Sequence, residues 1–102
     1  MKIPKQIKIG WRDYSVEFTE ERIDEEEGEL LDGEIDFLNH IIYIDNNLYY
    51  EDEKVIAFLH EVIHGIFHYQ CHSDWCNNED LVEAVSEGLF QVMRDNPKLF
   101  ES

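Results

Sequence analysis

Basic residues are scarce in this sequence: eight Lys and Arg stand against 24 Asp and Glu, for a formal net charge of -16. That balance argues against nonspecific nucleic-acid binding, because phosphate contacts need Lys and Arg. Cysteine is scarce too. Cys71 and Cys76 cannot build a disulfide framework, and they suggest a reducing, cytoplasmic setting. With two prolines, no Pro/Gly/Ser-rich linker and no internal repeat, the 102 residues read as one domain, 1–102, with one modest core. No apolar run approaches the roughly 20 residues of a membrane span. The opening MKIPKQIKIGW carries charge but no apolar h-region, so it does not read as a secretory signal.

What is present is globular. Apolar residues make up 43% and aromatics 13%, enough for a packed core. The acidic surplus is open to three readings: solubility, a preference for basic partners, or a DNA-mimicking surface.

Strand signals come first. Ile7 and Ile9 alternate with lysines, and Tyr14, Val16 and Phe18 alternate with polar residues, with Trp11-Arg12-Asp13 as the turn between them. Glu20 to Glu29 carries eight charged residues and reads as a solvated loop or hairpin tip. Leu30 to Ile35 is ambiguous, with Gly33 suggesting a turn or bulge. His40 to Ile44 is the strongest strand, ended by Asp45-Asn46-Asn47. It is open to two placements, an interior strand or an edge for an extended peptide.

Helical spacing takes over afterwards. From about Tyr50 to Tyr69, Val55, Leu59, Val62 and Ile66 recur at three and four, behind an acidic first turn of Glu51, Asp52 and Glu53. A connection from Gln70 to Asn78 leads to a second helix. Asn77 or Asn78 is its cap, Leu81, Val82, Val85, Leu89, Val92 and Met93 its stripe, and Asn96-Pro97 its end. The pattern predicts an α+β fold in which a small N-terminal sheet packs on the first helix, with a glutamate-bearing second helix behind.

The first helix carries LHEVIHGIFHYQCH, with histidines at 60, 64, 68 and 72. Imidazoles that share an ion must lie on adjacent turns of one face, which i, i+4 spacing supplies. His60 and His68 are about 12 Å apart along the axis, too far for nitrogen–metal bonds near ~2.1 Å. Three pairs remain. Only His60-Glu61-Val62-Ile63-His64 is an H-E-x-x-H, two zinc ligands and a general base on one surface. Glu61 sits beside such an ion without ligating it, placed to take a proton from water and pass it on.

A catalytic zinc takes a third protein ligand. The metzincin position, ten residues after the first histidine, is Gln70, so that pattern fails. The gluzincin arrangement takes a glutamate from a later helix, and Glu79, Glu83 and Glu87 lie there at i, i+4, i+8. Glu83 is the expected ligand because it lies mid-helix beside the apolar stripe. Glu79, in the first turn, reads as a dipole or surface charge. Glu87 is placed to accept the other ring N–H of a ligating histidine.

HEVIH, followed by the glutamate helix NNEDLVEAVSEGLFQVMRDNP, resembles the small gluzincin-type zinc metallopeptidases, and among them the compact phage and prophage proteins related to the ImmA/IrrE group. GEIDFLNHIIYIDNNL looks like the strand hairpin such proteins place before the active-site helix. The resemblance covers residues 33–97. It implies a minimal zincin-like domain, Zn2+ held by His60, His64 and Glu83, Glu61 as base, and hydrolysis of peptide or protein substrates, with basic ones suited to the acidic surface. The E-x-x-A-N-x-F-A stretch and later Met-Pro of larger members are absent. No Tyr or His follows Glu83 to stabilise an oxyanion, which leaves Tyr43, Tyr49, Tyr50, Tyr69, His68 and His72 as candidates. A different class of function, a non-catalytic zinc-stabilised protein that binds a basic partner, fits the same residues. Cys71, His72 and Cys76 match no common zinc spacing and read as a buried thiol and loop residues.

Overall fold

Alternation of apolar and polar residues at the N-terminus folds into a hairpin. A computed structural model describes residues 1–20 and 31–100, so most of the charged stretch Glu20 to Glu29 lies outside the described residues. In the hairpin, β1 (Gln6–Ile9) pairs antiparallel with β2 (Arg12–Thr19), and Ile9 stands opposite Arg12. The turn is therefore Gly10-Trp11, slightly earlier than Trp11-Arg12-Asp13. Gly10 decides this, because its φ of +63° suits glycine and the Tyr69 ring lies where a Cβ would project.

Two further strands complete a mixed sheet. β3 (Gly33–Asp36) pairs antiparallel with β4 (Ile41–Asp45), and β4 pairs parallel with β2, giving the order β1-β2-β4-β3. The ambiguous stretch around Gly33 is thus a strand. The strong strand begins at Ile41 instead of His40, because His40 takes a left-handed φ of 58° in the β3–β4 turn. Asp36 closes that turn by accepting from the backbone N–H groups of Leu38 and Asn39, each at 3.0 Å. β4 is an interior strand. Among the described residues, the edges are β1 and β3.

Ile42 and Ile44 of β4 are wholly buried, and Tyr14 and Val16 of β2 flank them. Onto this face packs α1 (Glu51–Tyr69) through Val55, Phe58 and Leu59. The helix ends in two paired bonds: Cys71 N–H donates to the His68 carbonyl and His72 N–H to that of Phe67. This is a Schellman motif with Cys71, at φ 63°, in the place glycine usually takes. The connection Gln70 to Asn78 contains one short turn of helix, α2 (Ser73–Cys76), and α3 (Glu79–Asp95) follows. Asn78 caps α3, its side chain accepting from Leu81 N–H at 3.1 Å. α3 rests on α1 and α2, so α1 lies between the sheet and α3. The α+β class and the sheet-on-helix arrangement are those the sequence pattern predicts. Among the described residues, no helix is long and apolar enough to cross a membrane.

Candidate metal centre

The histidine pair stands on the part of α1 that faces α3. The Nε2 atoms of His60 and His64 are 3.2 Å apart. Glu79 closes the triangle, with Oε2 3.0 Å from His60 Nε2 and Oε1 3.0 Å from His64 Nε2. Among the described residues, this is the group of three His, Cys, Asp or Glu side chains whose ligand atoms all lie within 4.8 Å of one another. Ligands ~2.1 Å from a tetrahedral ion stand about 3.4 Å apart. The imidazole nitrogens are already close to that spacing, the carboxylate turns one oxygen to each of them, and two imidazoles with a carboxylate are a donor set that zinc accepts.

The carboxylate in the triangle belongs to Glu79, not to Glu83. Glu83 and Glu87 line the same groove farther along α3. The reason is local. Cys76 at the end of α2 is buried against His64, its thiol donating to the His64 carbonyl at 3.5 Å. The chain therefore leaves α2 at the site itself, and Glu79, three residues on, is the first carboxylate to arrive. Glu83 begins about 6 Å farther along the helix axis. Glu79 also occupies the first turn of α3, where the dipole favours its negative charge.

Cys76 does a second thing. Its Sγ lies 3.6 Å from His64 Nδ1, so with His64 Nε2 turned to the triangle Nδ1–H donates a hydrogen bond to the sulfur, which favours that tautomer. That position was expected of Glu87. Burial pushes the Cys76 thiol up, with Glu79 and Glu61 adding to the effect, so it stays protonated. Burial lowers the proton affinity of His64, while Glu79 opposes the change. A neutral imidazole is the form that binds a metal.

Glu61 follows His60 but points to the sheet side of the groove, where it is only 6% exposed. A Cβ on Gly33 would lie 3.3 Å from its Cγ and Oε2, so β3 passes tightly over it. Burial pushes Glu61 up to about 8, with the Glu79 and Glu34 carboxylates adding to the shift.

The remaining candidates lie elsewhere. His68 stacks on Phe37 at 3.9 Å between centroids, and His72 stacks on Trp75 at 3.6 Å. Neither these two nor Tyr43, Tyr49, Tyr50 or Tyr69 lines the groove that holds the triangle. Asn77 does line it. The sequence offered Asn77 as a helix cap and Cys76 as a buried thiol or loop residue, and it placed Glu79 among the three candidate glutamates but behind Glu83, as a dipole or surface charge. The signal that would have found them is proximity in the chain to a turn anchored on His64, which spacing on a single helix does not report. Cys71 is exposed and apart from the site.

No family model matches the chain, no curated protein matches it in sequence, and no solved structure matches its fold.

Proposed function

We propose that the chain is a zinc-dependent metallopeptidase with a minimal zincin-like arrangement, in which His60, His64 and Glu79 hold the ion and Glu61 is the general base. The observation that carries this is the convergence of two α1 imidazoles and an α3 carboxylate beside a buried carboxyl of the same H-E-x-x-H. A zinc ion there supplies Lewis acidity toward water and a carbonyl oxygen, and a positive charge that lowers the proton affinity of Glu61. Glu61 takes the proton of the attacking water on a carboxylate oxygen and passes it to the leaving nitrogen. Glu79 and the two imidazoles hold their geometry through Cys76 on His64 and the Asn78 cap of α3. The Asn77 amide, on the groove wall, is a donor available to the developing oxyanion. β3, an edge of the described sheet, lines the groove, so an extended peptide can add to it by backbone hydrogen bonds. The two free thiols, Cys71 and Cys76, suit a reducing, cytoplasmic setting.

Two measurements test this. Zinc affinity by chelator competition should fall by about 100-fold in His64→Ala and Glu79→Gln and by less than about 10-fold in Glu83→Gln; a larger loss in Glu83→Gln than in Glu79→Gln would return the ligand role to Glu83. Glu61→Gln should keep zinc and lose peptide hydrolysis, and unchanged turnover in that variant would remove the peptidase reading.

One observation favours a second reading, a non-catalytic zinc-stabilised protein that engages a basic partner. None of the six Tyr and His side chains available as oxyanion donors lines the groove. On that reading Glu61→Gln leaves partner binding intact and no peptide is cut by either form.

A further inference from the structure

The groove around the triangle has a volume of about 980 Å³, large enough for several residues of an extended peptide. Its lining includes Asp32, Glu34, Glu53, Glu61, Glu79, Glu83 and Glu87, and among the described residues no lysine or arginine. The walls differ in origin. Asp32 and Glu34 come from the β3 side, and Glu83 and Glu87 from successive turns of α3 on the other. Glu61, nearly buried, has its carboxyl in the lining with no hydrogen-bond partner among the described residues. A divalent ion at the triangle cancels two of these charges and leaves the groove negative.

The cations among the described residues lie outside this lining. Lys2, Lys5, Lys8 and Arg12 belong to the first twelve residues, which contain no acid and form β1 and its turn. β1 is the sheet edge opposite β3. Lys54 is paired with Glu51 at 3.2 Å, and Arg94 with Asp95 at 3.1 Å. Charge is therefore polarised across the sheet, with the negative end at the edge that borders the groove. Low-dielectric walls concentrate that field inside a cleft, which draws in cations and repels polyanions.

We propose that the groove selects peptides carrying lysine or arginine side chains beside the reacting bond, with Asp32 and Glu34 on one wall and Glu83 and Glu87 on the other as the residues that recognise them. This rests on the peptidase reading for the identity of the ligand as a peptide. The recognition itself comes from the two acidic walls.

The experiment measures fluorescence anisotropy of two labelled peptides of equal length, one with Lys and Arg and one with Gln in their places, on the zinc-loaded full chain. The same samples are then analysed by mass spectrometry for cleavage. The cationic peptide should bind about ten-fold more tightly at low salt, with the difference fading as salt rises. The double variant E83Q/E87Q should lose about five-fold of that preference, while Glu17→Gln, an exposed charge on β2 that does not line the groove, leaves it unchanged. Equal binding of the two peptides overturns the proposal outright, and an equal loss in Glu17→Gln overturns it in favour of bulk attraction to an acidic protein. Selective binding without cleavage overturns the peptidase reading and keeps the charge selectivity. Cleavage of both peptides at equal rates does the reverse.

Discussion

Glu61 is a carboxyl buried among carboxylates, and its energetics follow from that. Its proton affinity is raised to about 8 in the folded chain, above the ordinary 4.5. Between those values the folded state holds a proton that the unfolded state has released, so stability falls as pH rises through this window. The loss is complete above pH 8, with an upper bound of about 5 kcal/mol. In metal-free protein, Glu61→Gln should therefore be more stable than the parent at pH 8 and no more stable near pH 4.5. Urea titrations at the two pH values check this, and a gain that does not depend on pH would contradict it. The same side chain shows how far a motif can be read. H-E-x-x-H names Glu61 from its neighbours, but the cover that Gly33 of β3 provides comes from residues 28 positions away.

Elements position the site through their ends. α1 ends with Cys71 in a left-handed conformation that glycine adopts at lower cost. Cys71→Gly should raise stability by about 0.5–1 kcal/mol, read as a shift of the urea midpoint, because the thiol is exposed and its one contact, to the Tyr69 carbonyl at 3.8 Å, is weak. α3 starts with the opposite dependence. Asn78→Ala removes the cap and should cost about 1 kcal/mol. It should also weaken zinc binding, since the first turn it orders is the turn that carries Glu79. A loss of stability with zinc affinity intact would separate the cap from the site. Helix identity and the Asn cap were legible from spacing and residue type. The length and direction of the connection were not, because α2 is a single turn whose place depends on the burial of Cys76 against His64.

At the scale of the whole molecule, the net charge of -16 works against compaction. Added sodium chloride screens that self-repulsion, so the thermal midpoint of metal-free protein should rise between low and physiological salt, measurable by scanning calorimetry. A midpoint that falls would show that attractive pairs outweigh the repulsion. Among the described residues, pairs such as Lys54–Glu51 and Arg94–Asp95 each have at least one solvent-exposed partner and contribute little. The sheet separates the basic β1 edge from the acidic β3 edge, so two surfaces of opposite sign coexist on a chain whose composition reads only as acidic.

Period-two alternation marked β1 and β2 and helical spacing marked α1 and α3, because burial of one face repeats at the period of the element whatever it packs against, while β4 was marked by its run of β-branched residues. The same logic isolated His60, Glu61 and His64, three residues on one face of one helix. Which carboxylate met them was decided only by tertiary structure. Glu79, Glu83 and Glu87 share a face of α3 and are equivalent by spacing. The choice among them depends on where α3 starts relative to His64, a distance between elements set by Cys76 and the short α2 turn. Strand order is of the same kind: β4 has the apolar pattern of a buried strand, but its place between β2 and β3, and the exposure of β3 as an edge beside the groove, come from pairing between segments distant in the chain.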